Sequence, residues 1–158
     1  MKQYDYIILG AGASGLLLAY RMSQDSYFDD KTILIIDQVK DKGNDRTWCY
    51  WEEGKGEWDD LLTKSWPKVF FGSDSFSKTI NITPFSYKMI RSEKLYHKLW
   101  KGIGLKSNIT FIEDRVKNYT ELDKGVKVVA NKSTYFGLKI LNSIPEKAVY
   151  QTQKKYPH

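Results

Sequence analysis

Apolar and polar positions alternate along this chain with changing period, and the changes predict its elements. Residues 6–9 (YIIL) are a continuous apolar run, the pattern of a strand buried on both faces. It breaks into glycines at 10, 12 and 15, and then into Leu16, Leu17 and Leu18, which predict a helix that ends between residues 23 and 27. Asp25, Asp29 and Asp30 mark the loop back. A second apolar run, TILII (32–36), ends in Asp37, so residues 4–37 predict a βαβ unit. Between 38 and 66 the periodicity fails. A polar turn (KDKGND, 40–45) leads into RTWCYWE (46–52), with Trp58 and Trp66 beyond. This predicts an irregular excursion that buries its rings against the sheet. Arg46 and Glu52 are then surface charges or a local ion pair.

Further on, VFFG (69–72) is short and apolar, and SFSKTINIT (75–83) alternates apolar and polar, with Phe76, Ile80 and Ile82 the apolar positions, which predicts a half-buried antiparallel strand ended by Pro84. Leu95 and Leu99, with Tyr96 and Trp100, repeat at helical spacing. Ser92 suits the cap of that helix, and Gly102 and Gly104 its end. Residues 109–116 predict a third parallel strand, and 125–130 and 134–142 a small meander packed on the main sheet. The fold class is α/β, a Rossmann-like dinucleotide-binding domain.

The glycine spacing is G-x-G-x-x-G between a strand and a helix, the setting the dinucleotide fingerprint requires. Gly10 allows the tight turn, Gly12 lets a pyrophosphate approach the backbone, and Gly15 lets helix and strand pack closely. The helix start then presents unpaired amides and a positive dipole end. Candidate pyrophosphate ligands are Gly10, Ala11, Gly12, Ser14 and Gly15. Asp37 falls at the roughly 20-residue offset of the ribose-binding acid.

Composition narrows the field. With 158 residues and 41% apolar content the chain can form one domain with a core. The net charge of +6 is scattered, with no basic block interleaved with aromatics, which argues against nucleic acid and leaves room for an anionic membrane surface. The single cysteine, Cys49, forms no internal disulfide and fits a cytoplasmic setting; between aromatics it is expected to be packed. Asp5 and the three glycines mark the N-terminal stretch as structure, not a secretion signal. His97 and His158 suggest no metal site.

YDYIILGAGASGLLLAYRM, the ILIIDQ strand, NDRTWCYWE and YKMIRSEKLYHKL together resemble the N-terminal part of bacterial lycopene cyclases. The resemblance implies a three-layer ββα flavin-binding domain like those of FAD-dependent hydroxylases and geranylgeranyl reductases. It implies bound FAD, active when reduced, with NAD(P)H as reductant, and lycopene whose linear ends close to β-ionone rings. Gly10, Gly12 and Gly15 would hold the pyrophosphate, Asp37 the adenosine ribose, and Arg91 would lie near the FAD. Arg46, Trp48, Tyr50 and Trp51 become candidates for the substrate side, since aromatic faces stabilise a carbocation. Peripheral association with the inner face of a membrane fits such a substrate. The family's later glycine–aspartate segment and acidic residues have no counterpart here, so residues 1–158 are expected to be the N-terminal part of an incomplete domain, with no catalytic residue to name. Two other readings stay open: another FAD enzyme of the hydroxylase group, and a non-catalytic nucleotide-binding module.

Overall fold

The structure, a computed structural model, describes residues 3–145, so the polar stretch 154–158 lies outside the described residues. The chain divides into two compact units. One comprises the residues up to Lys40 and from Gly102 onward, the other Asp41–Lys101.

The first unit is built on a six-stranded sheet. Its strands are β1 (Gln3–Leu9), β2 (Ile33–Asp37), β8 (Ile109–Glu113), β9 (Val116–Leu122), β10 (Gly125–Ala130) and β11 (Thr134–Asn142), in the order β8-β2-β1-β11-β10-β9. β8, β2, β1 and β11 run parallel, with Tyr6 opposite Ile33, Ile33 opposite Ile109, and Ile7 opposite Ile140. Continuous apolar runs explain the central places of β1 and β2: Ile7, Ile8, Ile33, Leu34, Ile35 and Ile36 are all fully buried. Ile7, Leu9, Leu34 and Ile36 form one cluster with Val126 and Val128 of β10.

The meander joins the sheet instead of packing on it. β11 inserts beside β1, and only β10 and β9 continue antiparallel. Gly137 permits this approach, because a Cβ there would fall 2.8 Å from the Ile7 side chain. The third parallel strand stops at Glu113, and Val116 already belongs to β9. Between them the buried Asp114 accepts N–H bonds from Arg115 and Lys132 and an O–H bond from Tyr135. Burial pushes its carboxyl up, but these donors together outweigh burial and hold it below the ordinary value. At the other end of the sheet Asp5 accepts from the Thr32 amide and hydroxyl, which likewise lower it.

Helix α1 (Ala13–Gln24) buries Leu16, Ala19 and Met22, three residues apart. Asp25 then leaves helical geometry, and its carboxylate accepts the Tyr27 amide.

In the second unit the expected irregular excursion is a sheet. β3 (Thr47–Glu53), β7 (Phe85–Arg91) and β4 (Leu62–Trp66) pair antiparallel in the order β3-β7-β4. The residue types explain the difference: Thr, Trp, Tyr and Trp within β3 are strand formers, and their one-residue alternation needs a partner strand to become visible. β5 (Lys68–Ser73) and β6 (Phe76–Asn81) form a separate two-stranded ribbon. The expected half-buried strand at 75–83 is therefore shorter, and β6 is exposed along its whole length. Among the described residues no third strand pairs with it and no layer covers it.

Helix α2 (Ser92–Ile103) is amphipathic as expected, with Leu95, Tyr96 and Leu99 buried. Its start differs from expectation, whereas it ends at Ile103, directly before Gly104, as expected. Ser92 is already helical, and its hydroxyl accepts the Arg46 amide and donates to the Gly43 carbonyl. Gly102 lies within the helix, where a Cβ would meet the Tyr20 ring at 2.5 Å. No helix among the described residues is long and apolar enough to cross a membrane.

Candidate functional site

The strand–turn–helix motif forms as the spacing requires. Gly10 has a φ of 92°, a conformation other residues rarely adopt, and its amide donates to the Ile36 carbonyl at 2.8 Å. Gly15 is closed by packing, since a Cβ there would collide with the Gly10 carbonyl. Gly12 behaves otherwise. It caps α1 without a side-chain cap, its φ is −77°, and a Cβ on it would meet nothing within 4 Å. Protein geometry thus accounts for Gly10 and Gly15 but not for Gly12. The space in front of Gly12 faces the first turn of α1, whose amides have no intrahelical acceptors. That is a cradle for an anionic group, and the residues present fit a pyrophosphate.

Asp37 lies at the C-terminal end of β2, half-buried. One carboxylate oxygen accepts the Ala11 amide at 2.6 Å and the other the Val39 amide at 3.0 Å. The acid thus ties the end of β2 to the glycine turn, so Gly10, Ala11, Gly12, Ser14, Gly15 and Asp37 gather at one end of the sheet.

Ser143 belongs with them and was not anticipated. Its hydroxyl lies 2.8 Å from the Leu9 carbonyl and 3.1 Å from that of Gly10, and its amide donates to Leu9. Asn142 and Ser143 join Ser14, Gly15, Leu18, Ile8 and Leu141 around a cleft of about 380 Å³. No local motif marks these two residues. The signal was structural: a strand that completes a parallel sheet ends beside the first glycine turn.

The remaining candidates lie in the second unit. Arg91 is exposed at the end of β7, opposite Thr47. Arg46 is exposed and donates to the Asp45 carbonyl, in line with the surface-charge alternative, and Glu52 pairs with Lys88. The aromatic block is split by the strand it forms. Trp48 and Tyr50 share one face of the sheet, with Ile90 and Lys88 opposite them. Trp48 meets the buried Tyr96 of α2 edge-on, with ring centroids 5.7 Å apart. Trp51 and Cys49 lie on the other face. Trp51 is 56% exposed and stands in a row with Tyr87 and Trp66, at centroid distances of 5.1 and 5.8 Å. Cys49 is exposed, not packed as expected, because its parity places it on this open face.

Behind Trp48 and Tyr50 lies a second group that was not anticipated. The buried Lys88 ammonium donates to Asp59 at 2.7 Å, to the Gly54 carbonyl at 2.8 Å and to Glu52 at 2.9 Å. Asp59 raises the lysine's pKa most, and Lys88 in turn holds Asp59 below the carboxylate range. The Tyr50 hydroxyl is buried without a hydrogen-bond partner among the described residues; burial, then the Glu52 carboxylate, pushes its pKa up.

A family model described as "Lycopene cyclase protein" matches residues 5–137. No curated protein matches the chain. Among solved structures, the chain is similar to p-nitrophenol 4-monooxygenase PnpA from Pseudomonas putida DLL-E4, with a TM-score of 0.73 and 10% identity over 97% of this chain and 44% of that one. It is similar to PqsL, a probable FAD-dependent monooxygenase from Pseudomonas aeruginosa, with a TM-score of 0.65 and 12% identity over 88% and 42%. It is also similar to NikD, an unusual amino acid oxidase, with a TM-score of 0.65 and 12% identity over 90% and 51%. The chain thus spans about half the length of these structures. At such identities the likeness shows the fold alone, one shared with these monooxygenases and this oxidase.

Proposed function

Because the chain belongs to the lycopene cyclase protein family, we propose that it forms the nucleotide-binding part of an FAD-dependent enzyme that closes the linear ends of lycopene to β-ionone rings. The observation that carries the cofactor half is the open space in front of Gly12, beside two glycines that the protein's own packing explains. In this reading the first-turn amides of α1, with Ala11 and Ser14, hold the pyrophosphate, and Asp37 bonds the adenosine ribose while fixing the turn through Ala11. Arg91, matched to the family's arginine, is a further candidate to bind the FAD.

Bound in its reduced form, with NAD(P)H as reductant, the flavin supplies an electron-rich ring without being consumed in a net isomerisation. The chain's contribution to the substrate side is aromatic. The split of the block favours Trp51, with Tyr87 and Trp66, as the rings that meet an apolar chain, and makes Trp48 a packing residue.

The cofactor half is tested by titrating the chain with FAD and following flavin fluorescence. Binding that is weakened by Gly12→Val at unchanged circular dichroism supports the reading; equal binding by both proteins overturns it. The substrate half is tested by chromatography of pigment from lycopene-accumulating cells that express the complete gene. Cyclic carotenes are the expected product, and hydroxylated or reduced pigments would instead place the protein with the hydroxylases or reductases.

A further inference from the structure

The register between β3 and β7 has no local cause. Residues 54–84 lie between the two strands, so no hairpin turn fixes which residue faces which. The apolar pattern does not fix it either. β3 carries rings at both parities, Trp48 and Tyr50 on one face and Trp51 on the other, and β7 turns Ile90 to the first face and Tyr87 and Met89 to the second. A slip of one residue would exchange Ile90 for Tyr87 and Met89 behind Trp48, one apolar set for another. It would also set Cys49 opposite residue 88 or 90 and part Trp51 from Tyr87. Lys88 is the side chain that tells these registers apart. It is 3% exposed, and its ammonium donates to Glu52 of β3, to the Gly54 carbonyl just beyond β3, and to Asp59 in the short helical turn that leads into β4. One cation on the central strand thus holds the segments that carry both neighbouring strands. A slip would take the ammonium away from all three acceptors at once, a loss that no exchange of apolar residues offsets.

We propose that Lys88 is a positioning residue: it sets the register of β3 on β7 and so brings Trp51, Tyr87 and Trp66 onto one face of the sheet. Buried ion pairs add little net stability, and fixing a register is the use best attested for them. The surroundings of the ammonium agree with that use. Glu52 and Asp59 are two carboxylates for one cation, and the third acceptor is backbone, so the group is built around a single position of the lysine. Gly56 leaves room for it, because a Cβ there would collide with the Glu52 carboxylate. The effect on Trp51 is indirect. Tyr50 stands opposite Lys88 and Trp51 opposite Tyr87, so the bonds made on one face decide the partner of the ring on the other. The register itself rests on pairing and burial inside the second unit; its value for an apolar chain rests on the proposed function.

The test reads the register through Cys49, which stands opposite Met89. Opposed residues of an antiparallel pair lie about 4.5–5.5 Å apart at Cα, within disulfide reach, whereas side chains that point to opposite faces cannot be bridged. In Met89→Cys, air oxidation with copper phenanthroline should join positions 49 and 89, the two thiols giving their electrons to the oxidant and their protons to water. Adding Lys88→Met, Glu52→Gln and Asp59→Asn removes the cluster without leaving a charge unpaired. Registers of similar energy then share the population, so the bridge should form about twofold to threefold more slowly at unchanged circular dichroism. Lys88→Cys with Glu52→Gln and Asp59→Asn should conversely bridge positions 49 and 88, which the native register forbids. Three results would overturn the proposal: no bridge between 49 and 89 in Met89→Cys, an equally fast bridge once the cluster is neutral, or positions 49 and 88 that stay reduced. If the neutral variant fails to fold, Asp59→Asn with Met89→Cys decides: a slower bridge at unchanged circular dichroism supports the proposal and an equal rate overturns it. No flavin or carotenoid enters these measurements, so their failure and the failure of the proposed function are told apart.

Discussion

The glycine turn of the first unit and the aromatic sheet of the second build candidate site surface by opposite means. The turn uses backbone. Its residues have little or no side chain, and what it offers is a φ of 92° at Gly10, open space at Gly12 and the amides of a helix start. The sheet uses side chains, and strand parity decides where each one goes. Trp48 and Trp51 are three residues apart in sequence and lie on opposite faces. A backbone site is therefore local and all its parts face one ligand. A side-chain site on a strand is divided in two, and one half is drawn into packing.

The largest expected effect separates the two kinds of glycine within the turn. Gly15→Val forces a branched side chain into the Gly10 carbonyl and should cost about 3 kcal/mol or more, seen as loss of the circular dichroism signal of the folded chain. Gly12→Val should leave stability within about 0.5 kcal/mol, because nothing stands near its Cβ, and should act on nucleotide binding alone. Equal destabilisation by both would break the distinction on which the cofactor reading rests.

The next effect tests the aromatic sheet. Trp48→Ala removes a ring packed on Tyr96 and should cost about 2 kcal/mol or more of stability in a urea melt. Trp51→Ala removes a ring that is more than half exposed and should cost under about 1 kcal/mol, while lowering pigment conversion in the complete enzyme. If Trp51→Ala destabilises as much as Trp48→Ala, parity does not divide the block as described.

Asp37, the proposed ribose ligand, gives a third, smaller measure. Asp37→Ala should weaken FAD binding by about 1.5–3 kcal/mol, part of it through the lost Ala11 bond. Asp37→Asn keeps an acceptor for Ala11 and should lose less, and an Asn variant as weak as the Ala variant would show that charge, not turn geometry, matters.

The smallest effect is on pH dependence, and its sign follows from the shifts. Asp114 and Asp59 are held below the ordinary 3.8, so their contribution is complete above that value and fades as pH falls through their lower folded values. Lys88 is raised above 10.5, so its contribution is complete below that and fades as pH rises through its higher folded value. Asp114→Asn should flatten the acid limb of stability, and Lys88→Met the alkaline limb. All five tryptophans, at 48, 51, 58, 66 and 100, lie in the second unit, so tryptophan emission follows Lys88 there while circular dichroism follows the whole chain.

The first unit was legible where the pattern was continuous. The apolar runs before Gly10 and Asp37 specify parallel central strands, and the glycine spacing specifies the turn, because each feature acts within a few residues. The place of β11 was less legible. Its run at 134–142 predicts a strand, but insertion beside β1 depends on Gly137 yielding to Ile7, a long-range fit. Ser143 stayed hidden for the same reason. In the second unit, Trp, Cys and Tyr in succession conceal the alternation that a polar partner would reveal, so β3 looked irregular. Lys88 was hidden inside YKMIRS, since a lysine in a strand is ordinarily solvated, and Asp59, Glu52 and the Gly54 carbonyl, all distant in sequence, permit its burial.

The bond between Ser143 and Leu9 has a consequence for how the molecule is made. Synthesis delivers β1, the turn and α1 early, yet β1 keeps one open edge until β11 arrives more than a hundred residues later, as the 134-residue separation of that bond records. An apolar central strand must wait, half paired, while more than a hundred further residues are made, and loop closure over such a distance is slow. A ribosome stalled anywhere before residue 143 therefore carries a nascent chain whose glycine turn lacks its brace and whose apolar edge stays open to wrong partners.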